Sequence, residues 1–210
     1  MPKQGYNIEG KVHLWKDGVS GMTRNLQYVP YGYEPPIETH KGTIVYYDTF
    51  EQITARELEL FAETGAALSF TKLVLYPLHE ETARRMWKQP IRSYYKRADE
   101  LGEWQREQAL SAVVIESWEG KRKKYTPIEA AIRFLMEKYT PPLFLYISPE
   151  IANLCASYAS FEEWIRNVRL VLSSEPLELH PKLAQYRNRW NTIEEAISRH
   201  AKVDKEQPEL

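Results

Sequence analysis

From Thr39 onward the chain alternates short β-rich runs with helical patterns, and this order narrows the possible folds more than any other feature of the sequence. The β-like runs are Thr43 to Tyr47, Lys72 to Tyr76, Ala109 to Ser117, Leu143 to Ser148 and Arg169 to Ser173, each dominated by Val, Leu, Ile or Tyr. They read as near-continuous apolar segments and not as alternating ones, as strands do when helices cover both faces of their sheet. Right-handed crossovers then give a doubly wound, Rossmann-like parallel sheet in a three-layer αβα sandwich. In such a sheet a ligand lies beyond the carboxyl ends of the strands where the strand order reverses, which directs attention to the loops after Tyr47 and after Ser148.

The helix starts are well marked. Thr126-Pro127-Ile128-Glu129 combines a capping hydroxyl, a proline at a first-turn position and a glutamate able to reach back. Ile128, Ala131, Ile132, Leu135, Met136 and Tyr139 follow with a 3.6-residue period, and Pro141-Pro142 closes the helix. The same cap spacing recurs at Thr54 with Glu57, Ser160 with Glu163 and Thr192 with Glu195. A long basic helical stretch from Glu80 to about Glu107 is divided near Gln89 by Pro90.

Residues 1–40 are rich in Gly, Pro and Tyr and read as an irregular extension, with Val12, Leu14 and the turn-prone Asp17-Gly18 as a candidate strand pair. Residues 41–200 form the α/β domain and 201–210 a frayed tail. A hydrophobic share of 43%, a charged share of 27% and 210 residues suit one globular domain with a sizeable core. A formal net charge of -1 exerts no global attraction on nucleic acid or anionic membranes. No apolar run approaches the roughly 20 residues that span a bilayer, and Met1 to Gly10 lack the apolar core of a secretory signal, so a cytoplasmic location is expected. The single cysteine, Cys155, lies among small and apolar residues and is read as a buried, inert thiol.

The loop after the first β-like run reads Thr49-Phe50-Glu51-Gln52-Ile53-Thr54-Ala55-Arg56-Glu57. It resembles the catalytic turn of the nicotinate or nicotinamide mononucleotide adenylyltransferases and the wider nucleotidylyltransferase superfamily. In that superfamily the first strand ends in Gly-Thr-Phe-Asp-Pro, with His-x-Gly-His or Thr-x-Gly-His at the helix start. Thr49-Phe50-Glu51 matches the turn, and Thr54 is the one surviving residue of the second signature. Tyr125-Thr126 opening a helix, the strand Leu143 to Ser148, Ser148-Pro149-Glu150 in place of Gly-x-Asp, and the Trp164 region follow the same plan, so the resemblance covers about Lys41 to Ser174. It implies a ligand carrying a nucleotide or another phosphate, accompanied by magnesium, at Thr49, Phe50, Thr54, Ser148 and Glu150; Arg56, and His79 at the carboxyl end of the second β-like run, join them as candidate ligand-binding residues. No other cofactor is evident.

The departures bear on the chemistry. Adenylyl transfer needs donors that position phosphates and offset developing charge. Here the glycine position of the signature carries Arg56 and the second histidine position carries Glu57, whose charge repels a triphosphate. The family's Ile-Ser-Ser-Thr-x-x-Arg turn has no counterpart after Ser174. Lost or altered catalysis is the expectation, with Arg56 as a substitute bidentate phosphate clamp. Thr54 and Glu57 also read as a plain capping box contributing about 1 kcal/mol.

Two other readings stand beside this one. The chain could serve as a non-enzymatic interaction or regulatory scaffold. Alternatively Arg84, Arg85, Lys88, Arg92, Lys96 and Arg97, interspersed with Trp87, Tyr94 and Tyr95, could bind single-stranded nucleic acid. Asp99, Glu100, Glu103 and Glu107 follow at once, and they favour a solvated mixed-charge face over nucleic acid, as does a loop reading for Lys121 to Lys124. His79, at the end of the second run, is a candidate ligand-binding residue or a helix-start residue. No histidines share a metal-ligand spacing, and there is no Gly-rich phosphate loop, Gly-x-Ser-x-Gly elbow or His-Glu-x-x-His.

Overall fold

The near-continuous apolar runs become strands of one parallel sheet in the computed structural model, which describes residues 41–88, 90–110 and 112–206, with side chains through residue 201. The expected extension over residues 1–40, its strand pair and the last four residues lie outside the described residues. Strands β1 (Lys41–Asp48), β2 (Phe70–Pro77), β3 (Val113–Ile115), β4 (Leu143–Ile147), β5 (Arg169–Leu172) and β6 (Trp190–Thr192) pair in the order β3-β2-β1-β4-β5-β6. Every pairing is parallel. This is the order of a doubly wound, Rossmann-like sheet, and the strand order reverses between β1 and β4.

Alternation along β1 divides the core in two. Val45 and Tyr47 face a core completed by α5 (Ile128–Lys138), α6 (Pro149–Ser157), α7 (Phe161–Trp164) and α8 (Pro181–Gln185), with Met86 and Trp87 of α2 (Glu80–Trp87) packed against it. Ile44 and Tyr46 face the opposite core, built from α1 (Ala55–Ala67), α3 (Tyr94–Glu107) and α9 (Ile193–Glu206). A short helix α4 (Trp118–Arg122) follows β3. Burying apolar side chains on both faces explains the unbroken apolar centres of the long strands, Ile44 to Tyr47 and Leu73 to Tyr76, with the polar residues mostly toward the strand ends.

Local signals explain most boundaries, with informative exceptions. Thr54 and Glu57 form a full capping box on α1, and Thr192 and Glu195 exchange the same two bonds at α9. The expected caps at Thr126 and Ser160 do not form. Pro127 occupies the cap position of α5, Thr126 is buried with its N–H donating to Thr82 Oγ1, and the Ser160 hydroxyl donates to Glu129. Helices α2 and α3 are separate, as Pro90 requires. The third β-like run yields only three strand residues. Ala109 before it adopts a left-handed backbone (φ 49°), and Glu116 and Ser117 after it leave the sheet to enter α4.

Gly42 in β1 is required for a reason of space. A Cβ there would lie 2.4 Å from the Pro141 carbonyl carbon and 2.5 Å from the Pro142 oxygen, both backbone atoms that cannot swing aside. Replacing Gly42 by Ala is expected to cost about 2–3 kcal/mol, measured as a drop in the urea midpoint at constant slope.

Candidate functional site

The loop from β1 to α1 is shaped by its own side chains. Asp48 Oδ1 accepts hydrogen bonds from the Phe50 N–H at 2.7 Å and the Thr49 hydroxyl at 3.2 Å, which turns the chain sharply. Phe50 follows with φ 57°, an uncommon conformation for a bulky residue, and its ring packs edge-on against Tyr46. Helix α3 then holds the loop from the side. Arg97 is fully buried and donates to the carbonyls of Thr49 at the end of β1, of Leu78 at the end of β2, and of Arg92. Arg92 donates to the Glu51 carboxylate and carbonyl.

These contacts frame a cleft of about 610 Å³ at the point where the strand order reverses. Its floor is the cross-strand pair Tyr46 and Tyr146, register partners on β1 and β4 whose rings meet edge-on at 4.8 Å. Asp48, Thr49 and Ser148 line it from the strand ends, Glu57 and Leu60 from α1, and Glu150 and Ile151 from α6. Trp87, Pro90 and Ile91 contribute an apolar wall from the segment joining α2 to α3.

The charge of the cleft is one-sided. Among the described residues its charged lining consists of Asp48, Glu51, Glu57 and Glu150, with no Lys or Arg. Glu51 is neutralised by Arg92 and Glu57 is engaged in the helix cap, whereas Asp48 and Glu150 have no salt-bridge partner among the described residues. Burial pushes the Asp48 carboxyl above its ordinary range, against the hydrogen bonds from Phe50 and Thr49, and the nearby charge of Glu57 adds to the rise. Burial likewise raises both floor tyrosines, Tyr146 to about 12, so each stays a neutral phenol across the physiological range.

The predicted site residues divide into two groups. Thr49, Ser148 and Glu150 line the cleft together. The others are placed elsewhere: Phe50 is buried beneath the loop, Thr54 caps α1, and Arg56 is turned along the surface of α1 toward Glu59 and Glu63 at 3.4 and 3.1 Å. His79 is buried as the cap of α2, its Nδ1 accepting from the Glu81 N–H and its own N–H donating to Glu119. Ser148 has a structural duty too, accepting from the Ile151 N–H at the start of α6.

The chain matches no protein-family model and no curated protein sequence. Its functional reading therefore rests on the site itself. Sequence reasoning passed over Tyr46, Tyr146 and Asp48 as cleft residues, because only the pairing of β1 with β4 brings the two tyrosines together. Trp87 drew attention only as a base-stacking residue on a basic helix; it belongs to the cleft wall. The basic stretch itself does not form one face: Arg97 is buried, Arg92 is held by Glu51 and Glu100, and Arg84 pairs with Glu81.

Proposed function

We propose that the chain binds a nucleotide-class small molecule in the cleft between β1 and β4 and does not carry out adenylyl transfer. The observation that supports this reading is the position of the cleft, beyond the carboxyl ends of the two strands where a doubly wound sheet receives its ligand. The apolar wall of Trp87 and Ile91 suits a base, and carboxylates such as Glu150 suit the hydroxyls of a sugar. Phosphates are poorly served among the described residues, since every charged lining residue there is acidic and Arg56 is paired with Glu59 and Glu63 along α1. Among the described residues no three acidic, histidine or cysteine groups converge into a dedicated metal cage, so a magnesium ion would enter with the ligand's own phosphates. Binding through the nucleoside end follows.

A thermal-shift series with adenosine, ATP, CTP, NMN, NaMN and NAD tests this. A ligand present at 100 times its Kd adds about 2.7 kcal/mol, a rise of roughly 5–10 °C for a chain of this size. Adenosine is expected to match or exceed ATP, because the phosphates bring repulsion. No rise with any of these compounds would favour the interaction-scaffold reading. That alternative has one observation behind it, the fully exposed Leu177 with Leu179 close by in the segment between β5 and α8.

A further inference from the structure

We propose that the cleft between β1 and β4 recognises a positively charged organic group, an ammonium carried by its ligand. The inference rests on that cleft being the ligand pocket and adds the sign of charge it selects.

Two independent observations converge. The first is the charge already described: among the described residues Asp48 and Glu150 line the cleft without a cationic partner, Glu57 stands beside them, and no basic side chain lines the walls. The second is the state of the floor. Tyr146 is only 3% exposed and Tyr46 only 8%, both line the cleft, and neither hydroxyl has a hydrogen-bond partner among the described residues. The rings are buried while the hydroxyls reach the cleft, where they stand outside the set of buried unpartnered groups and present two phenol oxygens that no described residue occupies.

The chemistry of that group follows from what surrounds it. An anion would face carboxylates on several sides of a partly desolvated cleft, where like charges repel more strongly than in water. Among the described residues no three acidic, histidine or cysteine groups converge into a dedicated metal cage, whereas an ammonium needs no such convergence. It is attracted by Asp48 and Glu150 at a distance and can donate to the phenol oxygens of Tyr46 and Tyr146. The carboxylates and the phenol oxygens thus stabilise the same charge.

The test compares probes alike in shape and different in charge: benzylamine, benzyltrimethylammonium and benzyl alcohol, titrated into the full chain at pH 7.5 and followed by NMR chemical shifts. At least one cationic probe is expected to bind about tenfold or more tightly than benzyl alcohol, about 1.4 kcal/mol, with shifts at the cleft and a preference that shrinks in high salt. Asp48→Asn keeps the oxygen that orders the loop and is expected to reduce the preference severalfold. Glu150→Gln, at an exposed position, does the same without bearing on the fold. Tyr146→Phe is expected to weaken cation binding while leaving the melting temperature unchanged, because the lost hydroxyl had no partner. Equal affinity for all three probes, no binding by any, or a preference untouched in both carboxylate variants would overturn the inference. If charge preference is absent while adenosine still binds, the inference falls and the pocket reading stands. A cation preference without any response to nucleotides keeps the inference and removes the nucleotide chemistry.

Discussion

Replacing Arg97 by Met is expected to destabilise the chain by about 3–5 kcal/mol, because it removes the one cation that two neighbouring strand ends share. Its guanidinium is buried from solvent and donates to the carbonyls of Thr49 and Leu78, with Glu51 at 3.6 Å and Glu80 at 4.0 Å as counter-charges. Methionine matches the aliphatic length of the side chain, so packing is largely retained and the cost measures the polar contacts. Three carbonyls lose their donor, and Glu51 keeps only Arg92. Equilibrium urea unfolding checks the magnitude. Hydrogen exchange tests the location: protection at the loop 49–54 should fall more than protection in the α5 interior. A cost below about 1 kcal/mol, or uniform loss of protection, would show that Arg97 does not organise the cleft.

Glu119 is expected to show the second large effect, with its sign set by what replaces it. The carboxylate is fully buried on α4 and accepts from Tyr76 Oη at 3.3 Å, the His79 N–H at 3.0 Å and Thr82 Oγ1 at 2.8 Å. Glu119→Leu orphans those donors and is expected to cost about 3 kcal/mol. Glu119→Gln keeps an acceptor for His79 and Thr82 and offers an amide donor to the Tyr76 hydroxyl, so it should be near neutral or stabilising at pH 8. Burial raises the carboxyl above its ordinary value of 4.5, outweighing the hydrogen bonds that favour the charged form. The folded state therefore holds this proton at pH values where the unfolded chain has released it. Stability linked to this group is full below pH 4.5 and declines as pH rises from there through the folded-state value. Melting curves across that window should slope downward with pH in the natural protein and less steeply in Glu119→Gln. Asp48, raised in the same direction, leaves a residual slope.

Much of this architecture is legible in the sequence because burial on both faces leaves its mark on every residue of a strand. Four of the five β-like runs coincide with strands to within about two residues at either end, and the fifth is trimmed by the αL turn at Ala109 and by Glu116. Strand β6 was passed over since Trp190-Asn191-Thr192 is too short to show a pattern, and its place depends on pairing with β5. Capping boxes read correctly at Thr54 and Thr192, where the side chains are free to turn to their own helix. They failed at Thr126 and Ser160, where Thr82 and Glu129 offered tertiary partners instead. The cleft was locatable in outline, at the ends of β1 and β4. Its composition was not, because the meeting of Tyr46 with Tyr146, and the arrival of Trp87, depend on chain segments far apart in the sequence. Arg97 is the sharpest case: a run of basic residues reads as a solvated surface, and only the folded chain turns one of them inward.

The outermost strands, β3 on one side and β6 on the other, are each three residues long. A margin that short exposes few unpaired amides, so a foreign strand or a second copy finds little to zip onto. Self-association by sheet extension is therefore disfavoured at both flanks.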